Sequence, residues 1–401
     1  MYIERSIKNT IKSVNRTFSV LCLTGPRQIG KSTLLENLAD KKRTIISLDN
    51  TKARNLAQND PELFLQRYTP PVLIDEVQYA PELFPYIKLL VDKRQHNGDF
   101  WLTGSQMFSL MKNVSETMAG RVALIPLQGF SNGELQGCNW GEFTLDRKKL
   151  LARMKKAKPL NIQQIFDKIF KGSMPRPNTV RNLNLEVFFE SYINTYLARD
   201  LHNQNNISDE LSFINFLKIV AARTATNVNY DVLAREAEIS TPTAKRWLSI
   251  LVASGLVIII PPYTKNVIKR VIKSPRMYMT DTGLCSYLMG WGTAKVLENS
   301  SMSGAFFETW VVNEIYKSYL NVGKRPPLYF YRDSNQDEID LIIEEGNIIH
   351  PIEIKKSANP KNPCRHFKTL PQPLGAGAVI CMTDDIIPID KSNTLVPVWL
   401  I

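Results

Sequence analysis

Cysteine is scarce in this chain: five residues in 401, at positions 22, 138, 285, 364 and 381, with no C-x-x-C spacing. That excludes a disulfide framework as the organising principle. It also leaves Cys364 and His366 as a lone C-x-H, without the second pair a zinc site needs. Long apolar runs are missing too. The longest, Leu256-Val257-Ile258-Ile259-Ile260, stops at Pro261-Pro262 and is far too short to span a bilayer. The first six residues, Met1-Tyr2-Ile3-Glu4-Arg5-Ser6, lack the apolar core of a signal peptide. An intracellular, soluble, cytoplasmic protein is the expectation.

What is present begins with charge. Lys and Arg exceed Asp and Glu by 12. The balance is +5 over residues 1–150 and +10 over 151–295, whereas 296–401 carries −3. A basic block in mid-chain speaks about partners rather than fold, and it points to nucleic acid. The length suits two or three domains.

The run Gly25-Pro26-Arg27-Gln28-Ile29-Gly30-Lys31-Ser32-Thr33 has the form G-x-x-x-x-G-K-S/T, a phosphate-gripping P-loop. An apolar strand (18–23) leads in and a helical pattern (31–40) leads out. The glycines let successive N–H groups curl toward phosphate oxygens, and the helix N-terminus adds its positive end. Lys31 is expected to reach the β- and γ-phosphates and Ser32 to hold Mg²⁺. Such a loop needs acids elsewhere. Pro71-Val72-Leu73-Ile74 ends in Asp75 and Glu76, which places Asp75 by the metal and Glu76 where it polarises the attacking water. A further strand, Phe100-Trp101-Leu102, ends in Thr103, followed by Gly104-Ser105, making Thr103 and Ser105 γ-phosphate sensors. Arg121, after Met118-Ala119-Gly120, offers transition-state charge from its own chain or in trans in an oligomer. No N/T-K-x-D guanine-reading motif follows, which favours ATP.

Strand and helix alternate at 18–23, 31–40, 43–48, 61–67, 71–75, 82–92, 100–103 and 122–126, the pattern of a parallel sheet covered by helices. Residues 131–210 read as a helical lid or connector. Over 211–282, a helix at 232–237, a turn, a second helix opened by Thr241 as N-cap with Pro242, a strand, a basic loop and Arg276-Met277-Tyr278-Met279 spell a winged helix. In a DNA reader the second helix would expose Lys245 and Arg246 to the major groove, while Lys265, Lys269, Arg270 and Lys273 straddle phosphates. A packing module inside an ATPase is the other reading of that fold.

Residues 283–401 open on an amphipathic helix holding Glu308, then a strand meander with a hairpin turn at Gly346-Asn347. Asp340 and Glu353-Ile354-Lys355 form D-x(12)-E-x-K, with Glu353 and Lys355 on one strand face. Two carboxylates holding Mg²⁺ or Mn²⁺ beside a lysine is what metal-dependent phosphodiester cleavage needs, and Glu308 would complete the shell.

Taken together, LTGPRQIGKSTLL, LIDEVQYAPELF, WLTGSQ, SETMAGRV, YINTYLARDL, SPRMYMTDTGL, GAFFETWVVNEI, FYRDSNQDEIDLII and IEIKKS resemble a prokaryotic family of AAA-type ATPases whose P-loop domain is joined to a C-terminal conserved region of unknown function. The resemblance implies an α/β ASCE-type P-loop core (1–130), the connector (131–210), a winged helix (211–282) and an α/β domain similar to PD-(D/E)xK restriction endonucleases (283–401). It implies an ATP site at Lys31, Ser32, Asp75 and Glu76, and a nuclease-like site at Glu308, Asp340, Glu353 and Lys355. The expected function is ATP hydrolysis by a DNA-associated protein whose nucleotide state controls the nuclease-like domain. The alternative is a regulatory switch or scaffold with an inert nuclease fold and a protein-binding winged helix.

Overall fold

The computed structural model describes residues 2–104, 118–196, 210–264, 274–333, 335–370 and 373–401. Ser105, Lys265, Lys269, Arg270 and Lys273 lie outside the described residues.

Five strands form the first sheet: β1 (Val20–Thr24), β2 (Thr44–Ser47), β3 (Val72–Asp75), β4 (Phe100–Gly104) and β5 (Val122–Pro126). Their order is β2-β3-β4-β1-β5 and every pair is parallel. The alternation read from the sequence is therefore realised, with ends shifted by a residue or two. Central strands are apolar on both faces because both are covered: all five residues of β1 are buried. Alternate side chains go to opposite cores. Leu21, Leu23, Leu73 and Trp101 join one cluster, while Val20, Cys22, Val72 and Leu102 join the other. The carboxyl ends of β1, β3 and β4 lie side by side, and the P-loop, Asp75 and Thr103 follow from there.

The middle of the chain packs helices Glu210–Ala222, Tyr230–Glu236 and Thr241–Ala253 against an antiparallel sheet. That sheet holds β6 (Thr226–Asn227), β7 (Val257–Ile260) and β8 (Arg276–Met279) in the order β6-β8-β7. Ser240, not Thr241, is the N-cap: its side chain accepts from the Thr243 N–H, and Thr241 and Pro242 are already helical. The third sheet holds β9 (Leu328–Arg332), β10 (Glu338–Glu345), β11 (Ile348–Lys355), β12 (Gly377–Cys381), β13 (Ile387–Pro388) and β14 (Asn393–Pro397), in the order β13-β14-β12-β11-β10-β9. Its β10–β11 hairpin turns at Gly346, whose φ of 61° is one glycine adopts freely. The long helix Ser303–Asn321 lies across these units, with thirteen of its nineteen residues buried.

One apolar cluster runs from Ile7 and Ile11 through Phe166, Trp247, Tyr278 and Trp310 to Ile401. It threads all four segments expected from the sequence. No helix among the described residues is long and apolar enough to cross a membrane.

Candidate functional site

Gly25 and Gly30 have φ of 146° and 90°, and Gln28 between them has 56°, so the backbone curls back over the helix start. A Cβ on Gly25 would sit 2.2 Å from the Leu127 carbonyl oxygen, which leaves glycine as the residue that fits. Helix Lys31–Leu38 begins at Gly30 without a side-chain cap, and its N-terminus turns the positive end of the helix toward the loop, as an anion site requires. The Lys31 ammonium is buried and donates to the Gly25 and Pro26 carbonyls at 3.0 and 2.9 Å.

Beneath the loop, hydroxyls converge on one carboxylate. Ser32 Oγ and Thr103 Oγ1 each donate to Asp75 Oδ1 at 2.5 Å, and Ser47 Oγ donates to Oδ2 at 3.2 Å. Thr103 Oγ1 also accepts the Glu76 N–H at 3.0 Å. Glu76 is held in the left-handed region (φ 56°, ψ 46°), unusual for a residue with a side chain, and its carboxylate accepts from Gln78 Nε2. The Ser32 and Asp75 oxygens are the hard donors Mg²⁺ prefers, so the residues present fit that ion. Thr103, expected from the sequence as a γ-phosphate sensor, is fully buried and ties Asp75 to Glu76.

A cleft of about 620 Å³ opens at the loop, lined by Gln28 to Leu34, by Glu76 and Phe130, by Tyr2, Ile3 and Arg5, and by Pro175, Arg176 and Thr179. Arg121 is not among its residues. It makes a two-pronged pair with exposed Asp92, through Nε to Oδ1 at 2.5 Å and Nη2 to Oδ2 at 3.0 Å. Two arginines that sequence reasoning passed over line the cleft instead. Arg5 is buried, pairs with Glu134 and donates to the carbonyls of Ile29, Gln128 and Gly129, bracing the P-loop from the N-terminal segment. Arg176 lines the cleft beside Lys31 and Ser32, its guanidinium without a hydrogen-bond or ion-pair partner among the described residues. Gly172 and Pro175 are turn residues in the sequence of the connector, but nothing there says that this stretch returns to the P-loop.

The C-terminal constellation comes together in part. Asp340 lies where the β9–β10 register shifts, a bulge between Ile339 and Ile342. Its Oδ2 accepts the Ile354 N–H at 2.8 Å, and Lys355 Nζ sits 3.4 Å from that oxygen and 2.6 Å from Glu353 Oε1. Burial, then the Asp340 charge, raises Glu353 to about 7. Glu308 does not complete a metal shell: its Oε1 accepts from Arg276 Nη1 at 3.1 Å and Tyr278 OH at 2.8 Å. Arg276 also pairs with Glu338. No group of three His, Cys, Asp or Glu side chains among the described residues is arranged to hold a metal ion. In the middle segment, Lys245 and Arg246 are exposed on helix Thr241–Ala253, with Lys245 Nζ 5.5 Å from the Tyr230 ring.

Residues 17–136 match the family model for an AAA domain. Residues 162–295 and 303–401 match two domains of unknown function, DUF8612 and DUF4143. Uncharacterized proteins of Mycobacterium bovis and Mycobacterium tuberculosis are each 29% identical over 344 residues, covering 85% of this chain and 71% of theirs. Among solved structures, a Walker-type ATPase of Pyrococcus abyssi aligns at 14% identity over 72% of this chain and 96% of its own, with a TM-score of 0.46. Thermotoga maritima RuvB aligns at 16% over 67% and 91%, with a TM-score of 0.29. At these TM-scores neither alignment carries weight. The AAA-domain match and the P-loop geometry agree, and the N-terminal part of the chain is an AAA-type, ATPase-like domain.

Proposed function

We propose that this protein hydrolyses ATP with Mg²⁺ and associates with DNA. The observation that carries the first half is the hydrogen-bonded set Ser32–Asp75–Thr103–Glu76 directly under the P-loop. The backbone of 25–30 and the open helix start grip the phosphates, and Lys31 adds its ammonium at the β/γ end. Ser32 and Asp75 hold Mg²⁺, which when bound offsets phosphate charge. Glu76, fixed by Thr103 and Gln78, orients the attacking water and takes up its proton. Arg176, not Arg121, meets the charge that develops on the transferred phosphoryl group. ATP turnover of the Lys31→Ala and Glu76→Gln variants tests this. Unchanged turnover in either removes the reading.

The second half rests on the middle segment. Its helices and sheet β6-β8-β7 support a winged-helix reading, with Lys245 and Arg246 facing solvent within the +10 block of residues 151–295. Asp340, Glu353 and Lys355 support a nuclease-like site controlled by nucleotide state. One observation favours the second reading, a switch with an inert nuclease fold: Arg276 already pairs with Glu308, and Lys355 is shared between Asp340 and Glu353. A cleavage assay on linear, circular and single-stranded DNA with Mg²⁺ or Mn²⁺, with and without ATP, decides between them. Cutting lost in Asp340→Ala and Lys355→Ala supports the nuclease, and no cutting with ATPase activity intact supports the switch.

A further inference from the structure

Behind the cleft, two glycine-bearing turns lock into each other. Asp281 is 4% exposed. Its Oδ1 caps helix Thr282–Leu288 through the Leu284 N–H at 2.8 Å. Its Oδ2 accepts both the N–H and the hydroxyl of Ser173, at 2.7 and 2.8 Å. The turns are in backbone contact. A Cβ on Gly172 would lie 2.4 Å from Asp281 Oδ1, and one on Gly283 2.5 Å from the Lys171 oxygen. Gly172 has φ 77° and ψ −171°, a conformation open in practice to glycine alone. Ser173 is held on its other side as well. Its carbonyl accepts the Phe130 N–H at 2.7 Å, and a Cβ on Gly129 would strike its hydroxyl at 2.1 Å.

From Ser173 the chain needs two residues to reach the cleft wall at Pro175 and Arg176. Pro175 Cγ lies 3.7 Å from where a Cβ on Gly30 would be. The neighbour of Asp281 is fastened in a similar way. Thr280 Oγ1 donates to the Gly255 carbonyl at 2.7 Å, and a Cβ on Gly255 would lie 3.1 Å from Pro26 Cδ in the P-loop itself. Adjacent residues of the segment leaving β8 thus fasten both the loop that carries Arg176 and the turn that abuts Pro26. That segment belongs to the middle unit, not to the ATPase-like domain.

We propose that Asp281 is a positioning residue of the nucleotide site: through Ser173 it sets Arg176 over the P-loop, and it thereby couples nucleotide turnover to the placement of the middle unit. This rests on the reading above that Arg176 meets phosphate charge. Asp281 touches no nucleotide and acts through Ser173, so its effect belongs in kcat more than in nucleotide affinity.

The test uses the full chain, steady-state ATPase kinetics and binding of a fluorescent ATP analogue, with Ser173→Ala, Asp281→Asn and Arg176→Ala alone and combined. Ser173→Ala, which keeps the backbone bond to Asp281, serves if Asp281→Asn does not fold. Expected is a roughly tenfold fall in kcat for Ser173→Ala and for Asp281→Asn, nucleotide Kd within about threefold, and no further fall when either is added to Arg176→Ala. If Arg176→Ala lowers kcat while the other two leave it unchanged, or lower it equally in both backgrounds, the positioning role is overturned and the Arg176 reading stands. An unchanged kcat in Arg176→Ala overturns the Arg176 reading, and this proposal with it.

Discussion

Replacing Thr103 by Val tests the buried side of the site without touching its ligand face. The two side chains are close to isosteric, so no cavity opens and the change is confined to the hydroxyl. That hydroxyl is fully buried, donates to Asp75 Oδ1 at 2.5 Å and accepts the Glu76 N–H at 3.0 Å. A hydrogen bond to a charged partner contributes about 1.5–3 kcal/mol, and a donor left unpaired away from water costs about 1–3 kcal/mol. Both effects act through one atom, so they do not simply add, and a destabilisation of about 2–4 kcal/mol is expected. Asp75 keeps Ser32 and Ser47, so the carboxylate stays in place while Glu76 loses the bond that holds its left-handed backbone. Catalysis should therefore fall more than binding: kcat down about 100-fold with nucleotide Kd within about threefold, whereas Thr103→Ser keeps most of the activity. Urea denaturation and steady-state ATPase assays read both quantities. Thr103→Val with normal stability and normal kcat would refute the assignment of Thr103 as the tie between the two acids.

Arg121→Ala should leave ATP turnover within about twofold, since its partner Asp92 is exposed and a surface pair of this kind contributes little; a loss of turnover approaching that of Lys31→Ala would return Arg121 to the site. In metal-free buffer, Glu353 makes stability fall with pH. Its folded pKa of about 7 lies above the ordinary 4.5, so the folded state holds the extra proton between those values. The contribution is complete below about pH 4.5 and lost as pH rises through 7. Glu353→Gln mimics the protonated form, so its thermal midpoint should match the parent at pH 5 and exceed it at pH 8; equal midpoints at both refute the shift. If the middle segment binds DNA with this helix in the major groove, Lys245→Ala and Arg246→Ala should each weaken binding. Removing one positive charge held against the DNA should also make the slope of log K against log salt shallower, by up to about 0.9. Unchanged slopes would take that helix out of the interface.

The parts of the site legible in the sequence are those built from neighbours in the chain. The P-loop is one such run, because the glycines that curl it, the lysine and the helix it opens are contiguous. Asp75 and Thr103 were legible as strand ends, since a buried parallel strand is a short apolar run and its last residue emerges at the ligand edge. What Thr103 does there was not legible, because its partners are the last residue of β3 and the one after it, and the strand order comes from pairing rather than from sequence. The arginines show the same limit more sharply. Arg121 stands where an arginine is expected, but Asp92 claims it. Arg176 reaches the cleft from a helix with Met174 as N-cap and Pro175 at its first position, far along the chain from Lys31. In the C-terminal unit, strand period placed Glu353 beside Lys355 correctly. It could not reveal that Arg276, from a different sheet, reaches Glu308. Side chains drawn from separate units obey no spacing rule.

That separation has a consequence for how the units act on one another. The segment after β5 contributes Phe130 to the cleft wall, and the same few residues are fastened on every side. The Phe130 amide is bound by Ser173, and its carbonyl accepts from Lys317 Nζ at 2.8 Å. Glu314 accepts the Asn132 N–H at 2.7 Å, and Asn132 Nδ2 donates to the carbonyls of Trp399 and Ile401. Glu314 and Lys317 are both buried and lie 2.5 Å apart on helix Ser303–Asn321; desolvation pushes the Glu314 carboxyl up and Lys317 holds it down. A buried pair of this kind is weak evidence for stability, because taking two charges out of water offsets most of their attraction. What it does impose is register. With the pair and its backbone partners satisfied, the C-terminal unit docks on the cleft wall in one position, and a slip leaves a carboxylate, an ammonium and an amide unpaired in the core. Phe130 is thus a point where the ATPase-like domain, the connector and the C-terminal unit meet at the wall of the P-loop cleft. A shift of the wall at Phe130 therefore bears on Ser173 and Lys317 together, since one holds its amide and the other its carbonyl.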